Sequence, residues 1–286
     1  MPLPTVLNLE ASYRDCEDIA RASNFYRGFR LLPRKKRQAL SAVYAFMRQC
    51  DDISDGGGST ESKKEQFVRW RAAFDRSMQG DDPHPLTLGA LRDTVQRFEI
   101  PITCFYKLID GTEMDLTKNC YSTFEELYSY CYHVASIVGL ICLHIFGFRD
   151  PRAKECAEAC GIAFQLTNIL RDIKEDLQRQ RIYLPLEDLH RFSYTQEDLR
   201  REVQDERFRA LMVFEAERAQ DYYHKAHPLV GMLERDSRSA FWAMFESYRS
   251  ILRNIVRHDY NVLRQRIGLN SRDKLRIIVQ ALMKAL

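Results

Sequence analysis

Long stretches of this chain contain neither glycine nor proline, and this scarcity limits the possible folds more than any other feature of the sequence. The 286 residues include 12 glycines and 9 prolines, and both are absent from residues 34–55 and 232–267. Because glycine and proline interrupt helices, such intervals are typical of long α-helices. In the first interval Leu40, Val43 and Met47 recur at spacings of three and four, the pattern of a helix with one buried face. Valine-rich alternating runs bounded by turns are absent, so the sequence predicts an all-α fold.

Turn-forming residues divide the chain into helices but mark no boundary between domains. Three glycines at 56–58 end the helix that begins after Pro33, and a Gly-Asp-Asp-Pro-His-Pro loop follows at 80–85. No stretch has the composition of an interdomain linker, so we expect residues 1–286 to form one domain, a bundle of about ten helices. The most apolar run, 134–148, is shorter than the ~20 residues that a membrane span needs, and we interpret it as part of a central core helix.

Charge and cysteine content exclude several classes of function. The 43 basic and 40 acidic side chains leave a net charge of +3, which is too balanced for a protein whose main partner is nucleic acid. None of the 8 cysteines forms a CxxC pair, which argues against a structural zinc site and for buried free thiols in a reducing compartment. The first ten residues lack the basic start and apolar run of a signal peptide. We therefore expect a cytoplasmic protein, and peripheral contact with an anionic membrane stays open.

A first acidic cluster, Asp51-Asp52-Ile53-Ser54-Asp55, lies directly before the three glycines. Asp51 and Asp55 share one helix face, about 6 Å apart along the helix axis, and two such carboxylates repel each other unless a cation lies between them. Magnesium prefers oxygen ligands and often shares them with substrate phosphates. Arg48 lies one turn earlier, where it would either form a salt bridge or bind a diphosphate. An acidic pair of this kind on its own is more often a solvated helix face.

A second polar cluster favours a metal site over a solvated helix face. Asn168, Asp172 and Asp176 are spaced by four residues, and Gln165 precedes them by three, so all four side chains lie on one helix face. The residues between them are mostly apolar, whereas a solvated surface helix would show the opposite bias. Arg171 offers the same two roles as the arginine of the first cluster. Two such clusters on apolar helices favour a metal site over two solvated faces.

Around these clusters the chain resembles the squalene/phytoene synthase family. The resemblance covers essentially the whole chain and is carried by the stretches YAFMRQCDDISD at 44–55, YCYHVASIVG at 130–139, and 165–185, which ends in RIYLP. It implies an all-α, single-domain isoprenoid-synthase helical bundle around a central apolar cavity. The most similar members are bacterial enzymes that make presqualene diphosphate, squalene or phytoene.

The resemblance also implies a role for each matching residue. The implied Mg²⁺ ligands are Asp51, Asp52, Asp55, Asn168, Asp172 and Asp176. The implied substrate-binding residues are Ser23, Asn24, Phe25, Tyr44, Arg48, Gln165, Arg171, Tyr183 and Tyr248. The implied catalytic residues are Asp51, Asp55, Tyr130, Asp172 and Asp176, with Tyr130 near the reacting centre.

The implied chemistry needs a cavity that excludes water, because loss of diphosphate leaves an allylic cation that water would capture. The candidate wall residues are Val134, Val138, Leu140, Ile141 and Phe164, although plain helix packing is the commoner role for each of them. Many family members have Val-Ala-Gly where this chain has Val-Ala-Ser at 134–136. We therefore expect Ser136 to narrow the cavity.

The resemblance, together with the two acidic clusters, implies a Mg²⁺-dependent prenyltransferase of isoprenoid biosynthesis that joins two allylic diphosphates head to head. The leading expectation is condensation of two farnesyl diphosphates to presqualene diphosphate or squalene, as in the formation of hopanoid precursors. The alternatives are carotenoid-type phytoene synthesis from geranylgeranyl diphosphate, a terpene cyclase or chain-elongating prenyltransferase, and a non-catalytic helical scaffold. NADPH stays unassigned, because no GxGxxG motif is present and a helical family need not use one. Substrate length, final product and oligomeric state stay open.

Overall fold

The computed structural model describes residues 8–23, 26–81 and 85–283. In chain order its helices are α1 Leu9–Ala20, α2 Tyr26–Phe29, α3 Arg34–Asp55, α4 Thr60–Gln79, α5 Thr87–Arg97, α6 Ile102–Met114, α7 Phe124–Cys131, a π-helical segment Tyr132–Ser136, α8 Ile137–Phe146, α9 Ala153–Gln178, α10 Leu186–Arg191, α11 Gln196–Arg200, α12 Glu206–Ala226, α13 Leu229–Met232, α14 Arg235–Arg257 and α15 Ser271–Met283. Within the described ranges the only β-structure is two isolated bridges, so the predicted all-α fold is confirmed.

Helix boundaries follow the local chemistry of the chain. The helix predicted over 34–55 is present as α3, which ends at Gly56. At the start of helix α4 the Ser59 hydroxyl accepts a hydrogen bond from the backbone amide of Ser62. The helix ends at Gly80, whose backbone has a φ of 105°, a left-handed conformation that favours glycine. The 232–267 interval is not one helix, because α14 stops at Arg257 and the chain then turns through left-handed residues at 259 and 260. Short helices of four to six residues, which give no periodic signal, raise the number of helices above the predicted ten or so.

A cluster of aromatic side chains fixes α3, the helix that carries the first acidic cluster. Phe46 of α3 contacts Trp70 and Phe74 of α4 and Phe105 of α6, with ring centroids 5.2–5.3 Å from its own. All four rings are buried. Because buried aromatic pairs contribute large apolar areas and prefer defined geometries, the C-terminal end of α3 is held against α4 and α6.

Helix α9, which carries the second acidic cluster, packs against the π-helical segment and α8 with very little space between the backbones. A Cβ atom placed on Gly161 would lie 2.5 Å from the Ser136 nitrogen and 2.7 Å from the Ala135 carbonyl carbon. A Cβ atom on Gly139 would lie 2.7 Å from the Ala157 oxygen. These two glycines therefore allow the close approach that positions the polar face of α9 opposite α3 and α6.

The apolar centre of the chain forms a longer helix than the sequence predicted. Helices α7 and α8 and the π-helical segment between them make one helical run, Phe124–Phe146, of 23 residues with a mean hydropathy of 1.6. Among the described residues this is the one helix long and apolar enough to cross a membrane, judged by length and composition alone. It packs against α3, α6 and α9 within the molecule, as expected for a central core helix.

Candidate active site

An apolar cavity of about 340 Å³ lies among α3, α6, α8, α9 and α14. Its apolar walls include Phe29, Leu40, Val43, Met47, Leu108, Val134, Val138, Cys142, Phe146, Phe164, Phe241 and Met244. The prediction that Val134, Val138 and Phe164 form its wall is confirmed. The same prediction is wrong for Leu140 and Ile141, because residues 134, 138 and 142 share one helix face and the other two point away from it.

The Ser136 side chain does not narrow this cavity, contrary to the expectation from the sequence. Ser136 is buried, and its hydroxyl donates to the carbonyl oxygen of Glu158 on α9 at 2.8 Å. It is absent from the cavity wall, although its neighbours Val134 and Ala135 are part of it. The extra residue that a π-helical turn accommodates shifts the facing of the side chains that follow, and here it directs this one toward α9.

A polar cavity of about 320 Å³ adjoins the apolar one, and residues of both acidic clusters line it. The predicted site residues in its wall are Asp51, Asp55, Tyr130, Gln165, Asn168, Arg171, Asp172, Asp176 and Tyr183. Six residues line both cavities and form their common boundary: Asp51, Thr112, Asp115, Tyr130, Gln165 and Asn168. The two clusters, far apart in sequence, thus converge at the mouth of an apolar chamber.

On α3 the structure separates three neighbouring aspartates. Asp51 and Asp55 line the polar cavity, where surrounding protein atoms and the nearby Asp55 carboxylate raise the pKa of Asp51 to about 7. Asp52 lies about 100° around the helix from Asp51, and it pairs with Arg48 at 2.9 Å on the solvent side. Asp52 and Arg48 line neither cavity, so this geometry does not bring them into the site.

On α9 the polar face is divided by a kink. Asp172 has φ −104° and ψ 16°, which is not helical. Burial alone would raise the pKa of Asp172, but hydrogen bonds from Arg171 and from the Nε atom of Arg266, at 2.9 Å, lower it. Asp176 has no such direct partner among the residues that the structure describes, so burial and the Asp172 carboxylate raise its pKa to about 7, although Arg179 and Arg181 oppose the shift.

The segment after α9 supplies two arginines that the sequence analysis gave no role. Arg179 pairs with Asp55 at 2.9 Å, and Arg181 lies 3.6 Å from Asp55 and 3.8 Å from Asp115. Both guanidinium groups line the polar cavity. They therefore connect the acidic end of α3 to the second cluster and bring positive charge to the place where a diphosphate would bind.

Asp115 is the central residue that pattern reasoning missed. It accepts hydrogen bonds from the hydroxyls of Tyr183 at 2.8 Å and Tyr130 at 3.1 Å, and burial raises the pKa of its carboxyl. The Tyr130 and Tyr183 rings stack at 5.2 Å, and burial raises the pKa of both phenols, so both remain protonated donors. Asp115 is a single acidic residue just beyond α6, without a partner at i+4, so a search for paired carboxylates passes over it.

The remaining predicted site residues lie around these cavities. Tyr44 and Tyr248 line the apolar cavity, and Tyr248 stacks on Phe164 with ring centroids 4.4 Å apart. Ser23 lines a separate cleft together with Arg171 and Tyr248. The other two predicted substrate-binding residues, Asn24 and Phe25, lie outside the residues that the structure describes.

The residues at the polar cavity are compatible with a hard divalent cation. The Oδ1 atom of Asn168 is buried and has no hydrogen-bond partner among the residues that the structure describes. It lines the same cavity as Asp51 and Asp176, whose pKa values are raised by burial first and by neighbouring carboxylates second. Oxygen ligands of this kind suit Mg²⁺, which usually completes its shell with water and substrate phosphates. In the described part of the chain no three His, Cys, Asp or Glu side chains form a compact metal site, so metal binding stays a prediction.

Comparisons with known proteins agree on one family. Residues 20–273 match the family described as squalene/phytoene synthase. The 15-cis-phytoene synthase of Synechococcus elongatus is 37% identical to this chain, and the alignment covers 99% of this chain and 96% of that protein. The phytoene synthase of Mycobacterium bovis is 39% identical, with 96% and 91% covered.

Solved structures give the same fold. A dehydrosqualene synthase in complex with ligand superposes with a TM-score of 0.88 at 27% identity, covering 96% of this chain and 97% of the other. A squalene synthase from Alicyclobacillus acidocaldarius superposes with a TM-score of 0.82 at 28% identity, covering 88% and 96%.

Proposed function

Because the chain belongs to the squalene/phytoene synthase family, we propose that it condenses two molecules of geranylgeranyl diphosphate head to head to form phytoene. Prenyl transfer between two diphosphates follows from the family itself. The choice of the C20 substrate rests on the relatives at 37–39% identity, which are phytoene synthases. The leading expectation from the sequence and its family resemblance was farnesyl diphosphate, and that C15 alternative retains support from the squalene-type enzymes with the same fold.

The arrangement of the two cavities supports the prenyl-diphosphate chemistry, whichever the chain length. A polar, charged cavity suits a diphosphate head, and the apolar cavity that shares its boundary suits an isoprenoid tail. A substrate with both parts would have its carbon–oxygen bond to the diphosphate at the shared boundary, and this is the bond that breaks. Helices as distant in the chain as α2, α9 and α14 contribute to these walls, which supports one catalytic domain over residues 1–286. Eight free thiols support a cytoplasmic location.

The leaving group needs positive charge before it can depart. Mg²⁺ bound by Asp51, Asp55, Asn168, Asp172 and Asp176 would supply part of that charge as a Lewis acid. Arg171, Arg179 and Arg181 line the same cavity and add fixed charge where the diphosphate develops its own. The guanidinium of Arg171 is already oriented by its bidentate pairing with Asp172.

The apolar walls and the tyrosines govern what happens after diphosphate leaves. Exclusion of water lets the allylic cation react with the double bond of the second molecule, with loss of a proton, to give a cyclopropylcarbinyl diphosphate. Tyr130 and Tyr183 are protonated and donate to Asp115, so they are poorly suited to accept that proton. The Asp115 carboxylate, on the boundary between the cavities, or the released diphosphate is the better acceptor. Loss of the second diphosphate and of a second proton completes phytoene.

Product mass tests the proposal directly. The purified protein would be incubated with farnesyl or geranylgeranyl diphosphate and Mg²⁺, with and without NADPH. We expect a C40 hydrocarbon from the C20 substrate and no effect of NADPH, because phytoene formation requires no hydride. A C30 product formed from the C15 substrate alone would reject phytoene synthesis but not the condensation.

Substitutions test the site. We expect Asp51→Ala and Asp172→Ala to abolish turnover while circular dichroism remains that of a folded helical protein. Asp110→Ala is the matched control, because Asp110 is an exposed aspartate of α6 outside both cavities. Full turnover in both site variants would refute the assigned site.

A further inference from the structure

The last helix, α15, presents a hydrophobic face to solvent. Nine large hydrophobic side chains are exposed among the residues that the structure describes, and four of them, Leu275, Val279, Leu282 and Met283, lie on this one helix. Their spacing of four, three and one places them on one side. The opposite side is anchored, because Ile277 and Ala281 are buried against Trp242 and Ala243 of α14. The exposed face is thus held in a fixed orientation on the body of the protein.

Basic side chains border this face. Residues 249–283 contain eight arginines and lysines and two acidic residues, although Arg249 and Arg253 pair with Glu246 and Arg266 pairs with Asp172, both outside this stretch. Arg272 and Arg276 are exposed beside the hydrophobic side chains, and Arg264 is exposed on the preceding segment. Arg264 and Arg272 form no ion pair with any residue in the described ranges, and Arg276 pairs only with Asp273 of the same helix, at 3.4 Å. A hydrophobic stripe bordered by arginines is the pattern of a helix that lies in the plane of a membrane surface.

From this combination we propose that the exposed face of α15 docks on a lipid bilayer that contains anionic headgroups. The hydrophobic side chains would enter the boundary between headgroups and acyl chains, and the arginines would contact the anionic headgroups. A second copy of the chain fits this face less well. A two-fold symmetric contact would place the same face against itself and bring the arginines of the two copies together.

The position of α15 relative to the candidate active site supports the proposal. A cleft of about 620 Å³ lies beside the helix, with Met244, Ile267 and Ile278 among its apolar walls. Arg171 and Tyr248 line the cleft as well, and they also line the polar and apolar cavities, respectively. Docking through α15 would therefore place the bilayer next to a partly apolar cleft that borders the site.

Vesicle sedimentation without substrate tests the docking surface. We expect the full-length protein to bind phosphatidylcholine vesicles that contain phosphatidylglycerol, to bind pure phosphatidylcholine much more weakly, and to lose affinity as salt is added. The double variant Leu275→Ser/Val279→Ser should lower the affinity at least about tenfold, because each lost side chain removes apolar area that the bilayer would bury. The double variant Arg272→Gln/Arg276→Gln should lower it about tenfold on the anionic vesicles.

A matched control comes from another exposed helix. Lys64 and Val68 of α4 are exposed, and Val68 has nearly the same exposed fraction as Leu275, 64% against 66%. Lys64→Gln/Val68→Ser should leave binding unchanged, and circular dichroism of all variants should match the wild type. Absence of wild-type binding to the anionic vesicles, or an equal loss in the α4 control, would overturn the proposal. So would a dimer in solution that the Leu275→Ser/Val279→Ser variant abolishes while vesicle binding is unaffected. Because no substrate is present, the result is independent of the proposed condensation.

Discussion

Replacement of Asp176 by asparagine should stabilise the metal-free protein. Burial and the Asp172 carboxylate raise the pKa of Asp176 from 3.8 to about 7, so its ionisation above pH 7 costs folding free energy. A pKa difference of this size corresponds to about 4 kcal/mol. This pKa already includes the opposing attraction of Arg179 and Arg181, and solvent screening of the cavity reduces the effect further, so we expect a net gain of about 1–3 kcal/mol at pH 8.

The pH dependence identifies the cause of this gain. Between pH 4 and 7 the native protein retains a proton on Asp176 that the unfolded chain has released, so wild-type stability should fall as the pH rises through this window. The advantage of Asp176→Asn should therefore shrink at pH 5 to about a third of its value at pH 8. Urea denaturation in the presence of EDTA, followed by circular dichroism at both pH values, measures the difference.

Two comparisons complete the experiment. Glu175→Gln removes the same charge from the neighbouring position, where the carboxylate is 41% exposed and lies 3.4 Å from Arg266, and we expect a change within about 0.5 kcal/mol. Added Mg²⁺ should stabilise the wild type more than Asp176→Asn, because the cation relieves the repulsion that the substitution has already removed. If Asp176→Asn is no more stable than the wild type at pH 8, or gains as much at pH 5, the reasoning about repulsion is wrong.

Three further substitutions and one control test the scaffold by the same denaturation assay. Arg218→Met should lower the free energy of unfolding by about 3–5 kcal/mol. Arg218 pairs with the buried carboxyl groups of Asp188 at 2.7 Å and Glu215 at 2.8 Å, and the substitution leaves both without their cation. Ser136→Gly should cost about 1–2 kcal/mol through the lost hydrogen bond and helix propensity, yet leave the product mass unchanged, since its side chain does not face the cavity. Gly161→Ala should cost about 1–3 kcal/mol because its Cβ would meet the facing backbone, whereas Gly57→Ala, with open space around it, should not destabilise the protein through contact.

Much of the candidate site could be predicted because helical periodicity determines which side chains share a face. The spacing of Asn168, Asp172 and Asp176, together with their apolar neighbours, predicted one polar stripe facing inward, and these residues line one cavity with Asp51 and Asp55. The same geometry would have separated Asp52 from that face, since only residues spaced by three or four share it. The family resemblance implied a metal-ligand role for Asp52 because it belongs to the same acidic cluster, although its position on the helix does not favour that role.

Other parts of the site depend on tertiary packing and leave no periodic signal. Asp115 and Arg181 reach the cavity because α6 and the segment after α9 meet there, and neither belongs to a repeating pattern. The orientation of Ser136 depends on a π-helical segment, and a periodicity of 3.6 residues cannot anticipate where that segment begins or ends. The docking helix α15 was likewise not distinguished by its sequence, since burial of one side against α14 is what leaves the other exposed.

The shared wall between the two cavities has a consequence for the geometry of any amphiphile that enters. Six residues, among them Asp51, Tyr130 and Asn168, form the boundary between a polar, charged cavity and an apolar one. A molecule with a charged end and a hydrocarbon end will orient itself across such a boundary as it would at an interface between oil and water. Here, however, the boundary is fixed, because α3 packs against α4 and α6 and α9 packs against the π-helical segment and α8. Two such molecules that bind across this boundary would have the carbon atoms next to their charged ends at the same level in the site, before any catalytic group acts on them.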